Sequence, residues 1–162
     1  MKIQILCEDS YARDFFSKLI NRLKEESKVS QNLTVKTDRI AGVCNSKTKR
    51  QVAAASASSE RIIIIVDADG RLMQDIEIEV LDHVPEQIRG IVRMVILQYE
   101  IEEWLCVDMG IQFTDGCKPS DKLKYEIGYE KFKLPSFANK LDLSALKRRS
   151  KSFTRFVKCL GS

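Results

Sequence analysis

Five carboxylates stand where apolar runs end. Glu8 follows KIQILC, Asp67 and Asp69 follow RIIIIV as Asp-Ala-Asp-Gly, and Glu100 and Glu103 follow IVRMVIL. Carboxylates gathered at one place repel, so a cluster of them needs a counter-charge. Hard divalent cations such as Mg2+ or Mn2+ favour oxygen ligands, and Mg2+ typically takes one or two carboxylates together with water and phosphate oxygens. Such a centre can polarise a phosphoryl oxygen and activate water or a hydroxyl. It needs no histidine, which suits a chain whose only one is His83. Schemes built on two histidines are excluded. Five cysteines, an odd number with no CxxC pair, signal neither a disulfide framework nor a zinc ribbon.

The elements that must position these acids follow from apolar periodicity. Lys2–Cys7 reads as a first strand. Tyr11 to about Glu26 reads as a helix, with Phe15, Phe16, Leu19, Ile20 and Leu23 on one face and Ser10 as its cap. Asn32–Ala41 alternates polar and apolar residues, as a half-exposed strand does. An Ala-rich helix is expected over Ser46–Ser59. Ile62–Val66, four isoleucines and a valine, requires burial on both faces, as in the middle of a parallel sheet. A helix over Met73–Leu81, a buried strand over Ile91–Leu97 and a helix over Glu100–Val107 follow. Helix starts recur at Pro119-Ser120-Asp121, Pro135-Ser136, Asp142-Leu143-Ser144 and Ser150–Ser152. The fold class is therefore α/β: a Rossmann-like, mainly parallel sheet flanked by helices, with a helical C-terminal extension. The division is residues 1–117 as the α/β core and 118–162 as a basic extension packed on it, one domain overall. In such a sheet the ligand crevice lies at the carboxyl ends of the strands. All five acids are expected there. Side chains in a strand alternate, so Asp67 and Asp69 should face the same side.

Charge is unevenly spread. The chain is +4 overall, yet residues 118–162 carry twelve Lys/Arg against four Asp/Glu. The densest run is Lys147, Arg148, Arg149, Lys151, Arg155 and Lys158. Phe153 and Phe156 belong to the apolar stripe of the same helix with Val157 and Leu160, so they are expected in the core. The six cations form either a plain solvated helix face or a surface that contacts nucleic-acid phosphates, independently of sequence and in a salt-sensitive way.

Two stretches resemble the Toprim fold shared by topoisomerases, bacterial primases and the overcoming-lysogenization-defect (OLD) nucleases. ILCEDSYARDFFSKLI resembles its strand-Glu-helix motif, and IIIIVDADGR its Asp-x-Asp motif. ILQYEIEEWLCVD and the ending LPSFANKLDLSALKRRSKSFTRFVKCL are similar to small Toprim-like proteins akin to the OLD nucleases. The resemblance implies Mg2+-dependent (or Mn2+-dependent) cleavage or transfer at a phosphodiester. Glu8 would be general acid/base or metal ligand, Asp67 and Asp69 ligands, and Glu100 and Glu103 the acids after the fourth strand. The chain departs from the pattern where Asp9 replaces a glycine and Ala12 an acid. These departures bear on a second metal position. The alternative reading is a non-catalytic Toprim-fold module that binds nucleic acid or protein. A receiver-type phospho-acceptor domain fits less well, because no Ser/Thr follows the fourth strand and no fifth strand bears a lysine.

No apolar window reaches the length of a membrane span. The opening MKIQILCEDS is too short and too soon acidic for a secretion signal. A cytoplasmic protein with no membrane partner is expected. Its partners would be nucleic acid, DNA or RNA, with a homodimer or protein partner compatible.

Overall fold

The computed structural model describes residues 1–42 and 44–161. Four strands, β1 (Lys2–Cys7), β2 (Thr34–Arg39), β3 (Arg61–Asp67) and β4 (Val92–Leu97), form one sheet in the order β2-β1-β3-β4. Every neighbouring pair is parallel. Helices α1 (Ala12–Glu25), α2 (Ser46–Ser56) and α3 (Met73–Leu81) make the crossovers. They are followed by α4 (Glu102–Met109), α5 (Pro119–Ile127), α6 (Leu134–Phe137), α7 (Leu143–Arg149) and α8 (Lys151–Gly161). The α/β class and the parallel sheet are as the sequence predicts. Among the described residues no helix is long and apolar enough to cross a membrane.

Strand β3 explains itself. Ile62, Ile64 and Val66 point to one face and join Val52 of α2 with Ile76 and Val80 of α3. Ile63 and Ile65 point to the other and join the larger core of α1, α4 and the C-terminal helices. A strand apolar at every position must have both faces covered, and this one does. Strand β2 lies on the edge and keeps the alternating pattern, with Thr37 buried and Thr34, Lys36 and Arg39 exposed.

The larger core centres on Trp104, fully buried. Its ring meets Phe153 at 5.0 Å, Phe156 at 5.5 Å and Phe16 at 6.0 Å between centroids, mostly edge to face. Phe153 and Phe156 are thus core residues, as their helical spacing predicts. The indole N–H donates to Ser152 Oγ at 2.9 Å, which satisfies its one polar atom. Polar ties bind the extension too. Arg22 donates to the carbonyls of Ala138 and Leu141, and Arg61 to that of Cys159.

Several boundaries differ from the sequence reading, each for a local reason. Ser10 does not cap α1. The N-cap position is Tyr11, with no side-chain cap, and Asp9 Oδ1 accepts from the Tyr11 N–H at 2.7 Å in the turn that precedes the helix. Helix α2 ends at Ser56 rather than Ser59, and its cap is Asn45, whose side chain accepts from the Lys47 and Thr48 amides. Strand β2 is shorter at both ends than Asn32–Ala41. Helix α4 starts at Glu102, not Glu100, and runs to Met109, where Gly110 closes it in the left-handed region. Two 3-10 turns, Glu86–Ile91 and Lys131–Lys133, were not expected from periodicity.

Candidate functional site

The chain moves from β1 outward to β2 and then returns past β1 to β3. The gap between the carboxyl ends of β1 and β3 is therefore the switch point of the sheet, where open α/β sheets hold ligands. Cys7 pairs with Ile65, so Glu8 leaves β1 one step beyond that pair and Asp67 closes β3 two steps beyond it. Both side chains are half-buried. Asp67 is pushed up to about 8, first by burial and next by the Glu8 charge beside it. Those two carboxylates are brought together as the sequence predicts.

Asp69 is placed differently from the expectation. The period-two pattern stops at Asp67, because Asp69 sits at φ +50° and is exposed. Its charge still reaches Asp67, but from a turn rather than from the strand. That turn hangs on the end of β4. The amides of Ala68, Asp69 and Gly70 donate to the carbonyls of Leu97, Tyr99 and Gln98. Gly70 is required twice over. Its φ is +80°, and a Cβ there would lie 3.1 Å from the Tyr99 ring and 3.2 Å from Asp115. Gly70→Ala should cost roughly 1–2 kcal/mol, read as a lowered midpoint in urea.

Glu100 and Glu103 are engaged away from the switch point. Glu100 accepts the Ser120 amide at 2.6 Å with Oε1, and the Lys118 ammonium is 3.9 Å from Oε2. It thereby serves the first turn of α5, where negative charge is favoured. Glu103 accepts the Tyr99 amide at 3.0 Å and the Ser152 hydroxyl at 2.9 Å. Burial raises its pKa while these bonds oppose the rise. It closes a relay of hydrogen bonds from Trp104 through Ser152.

The residue between them turns toward the sheet ends. Glu102 is 0% exposed. Its Oε1 accepts from the Tyr129 hydroxyl at 2.8 Å and from Lys131 Nζ at 2.8 Å, and Oε2 has no hydrogen-bond partner among the described residues. Burial raises its pKa, and Lys131 works against that rise. The same ammonium lies 2.6 Å from Asp9 Oδ2, and its charge also reaches Asp67. Burial disfavours the charged lysine, yet Glu102 and Asp9 outweigh burial and hold it protonated. The Tyr129 hydroxyl is raised by burial and then by Glu102, so it remains a donor.

The constellation is thus Glu8, Asp67 and Asp69 from the strand ends, with Asp9, Glu102, Tyr129 and Lys131 around them. Sequence reasoning missed the last three. One signal was available: EEWLC is apolar all round apart from its acids, and a charge in a helix buried on every side must have a partner. Nothing local marks Lys131 as that partner. Among the described residues, no three Asp, Glu, His or Cys side chains already converge as a metal-holding group. The cations Lys147, Arg148, Arg149, Lys151, Arg155 and Lys158 are all exposed. All but Lys147 line a shallow depression of about 430 Å3 together with Ser150 and Thr154. Comparison with family models, with curated proteins and with solved structures returned no match.

Proposed function

We propose that the switch-point pocket binds a hard divalent cation, Mg2+ or Mn2+, and serves a phosphodiester-directed nuclease or related phosphoryl-transfer reaction on nucleic acid. The observation that carries this reading is the pair Glu8 and Asp67, at the ends of adjacent parallel strands and near enough for the Glu8 charge to raise the Asp67 carboxyl. Burial and the Glu8 charge both disfavour ionised Asp67, and a bound cation would favour it. The donor set fits: it is all oxygen, and the buried Glu102 Oε2 beside it has acceptor capacity unmet. Mg2+ needs only one or two carboxylates when water and phosphate complete its shell. Asp67 and Glu8 would hold the ion, with Asp69 at the exposed rim. When bound, the cation would offset charge on a phosphoryl group. Around it, Lys131 and Tyr129 orient and neutralise Glu102, and the α7–α8 cations offer phosphate contacts away from the chemistry.

The Toprim resemblance supports the same assignment of Glu8, Asp67 and Asp69. The test is cleavage of labelled single- and double-stranded DNA and RNA with Mg2+ or Mn2+, with Asp67→Ala as control. Cleavage that needs the metal and disappears in the variant is expected. Absence of cleavage on all four substrates, with nucleic-acid binding intact, would overturn the enzymatic reading.

One observation favours the non-catalytic alternative. Lys131 already supplies a positive charge to Asp9 and Glu102, the role otherwise given to a metal. In that reading the pocket is neutralised from within, and the fold acts as a binding module.

A further inference from the structure

Phe132 is 62% exposed and Tyr125 is 83% exposed, more than any other aromatic ring among the described residues. Large rings left in water are uncommon unless something covers them. Their position limits what that can be. Phe132 follows Lys131 directly in the 3-10 turn Lys131–Lys133. The lysine enters the acidic pocket, so Phe132 is one residue along the chain from it. Lys133 Nζ lies 5.9 Å from the Phe132 centroid and donates to the Gly128 carbonyl at 3.1 Å. Gly128 closes α5, and Tyr125 is on the last turn of that helix. Residues 118–133 carry five lysines against three acids. A ring beside ammonium groups suits a partner with both anionic charge and flat π faces.

We propose that Phe132 and Tyr125 are stacking platforms for unpaired bases, which makes single-stranded nucleic acid the substrate class. This rests on the nucleic-acid reading above. Unpaired bases expose both faces to stacking, whereas a duplex keeps its base faces covered. Lys122, Lys124 and Lys133 then track the backbone in a salt-dependent way, while Lys131 stays in the pocket. Lys131 ties the platform to the acidic pocket through adjacent backbone, so a strand stacked on Phe132 passes its phosphates beside Glu8 and Asp67.

The test uses the full chain and fluorescence anisotropy with an oligothymidylate of about twelve nucleotides, compared with its duplex. Phe132→Ala and Tyr125→Ala should each weaken single-strand binding about five- to hundredfold, the range for one base–ring stack. Duplex binding should change less than about twofold. Phe132→Trp should keep the affinity, and its emission should be quenched on binding. Both rings are exposed, so circular dichroism should show every variant folded. Wild-type protein that fails to bind the oligonucleotide, or alanine variants that bind it as wild type does, would overturn the proposal. The second result would leave the rings to a protein interface. The outcome separates from the metal reading through a melt with and without Mg2+. A Mg2+-induced rise in Tm beside unaffected alanine variants rejects stacking alone, and weakened variants without such a rise reject the metal alone.

Discussion

Lys131→Met is expected to destabilise the protein by about 1–3 kcal/mol, because Glu102 is buried and loses its cation while the ammonium itself is 43% exposed and screened by solvent. The ammonium is 2.8 Å from a glutamate with no exposure and 2.6 Å from Asp9. Methionine fills a similar volume but offers no charge, so Glu102 and Asp9 lose the ammonium that each of them holds. For a chain of this size the Tm should fall by roughly 5 °C. The sign of its pH dependence follows from Glu102. Its folded pKa is raised by burial, so the protonated form favours the fold. Stability from that group is fully present below the unfolded pKa and is lost as pH rises through the folded one. The deficit of Lys131→Met should therefore be larger at pH 8 than at pH 5. Adding Glu102→Gln should restore most of the loss, since the amide can still accept from Tyr129. A single variant that melts within about 0.5 kcal/mol of wild type would show that the pair is not coupled to folding. The same variant also separates the two functional readings. If Lys131 substitutes for a metal, its removal should create a Mg2+-dependent rise in Tm that wild type lacks.

The second large effect has the opposite sign. Asp67→Asn should stabilise the metal-free protein by about 2 kcal/mol at pH 8, within the range of substitutions that relieve strain at functional sites. Burial and Glu8 raise the Asp67 carboxyl from its ordinary range to about 8. In the unfolded chain it ionises near 4. Between those values the folded state holds a proton that the unfolded state has lost, so wild-type stability declines with rising pH across that window. Asparagine does not titrate. The Tm difference should thus be small at pH 4 and reach roughly 4–8 °C at pH 8. Mg2+ should reverse the order. A cation bound only by the folded state adds about 2.7 kcal/mol at a hundredfold excess over its Kd, and the variant should lose most of that gain. Melts of both proteins across pH 4–8, with and without Mg2+, check each part. Parallel curves for the two proteins would sink the claim that Glu8 and Asp67 repel.

Much of the architecture was legible because apolar periodicity is a local signal. Lys2–Cys7 and Met73–Leu81 match the structure at both ends, and the aliphatic run of β3 announced a doubly covered central strand. The meeting of Glu8 with Asp67 was legible for a related reason. Parallel strands that end in acid must deliver it to one edge. The fourth strand broke that logic. Its acids lie beyond the strand, Glu100 in the connection and Glu102 and Glu103 in the first turn of α4, where successive residues turn about 100°. Glu100 thus reaches α5, Glu103 reaches Ser152, and only Glu102 looks to the switch point. Lys131 was illegible on any local criterion. It belongs to a short turn in a lysine-rich stretch, and its partners are Asp9 and Glu102.

That long separation has a consequence for how the chain is made. A polypeptide grows from its N-terminus, and β1 through α4 can begin to assemble before the later segments exist. During that interval the acids of β1, β3 and α4 approach one another with the internal ammonium not yet synthesised. The nascent sheet is left electrostatically unfinished until the turn after α5 arrives. The C-terminal segment brings both Lys131 to the pocket and Phe153 to Trp104, so the pocket keeps its acids without that ammonium until the segment is in place.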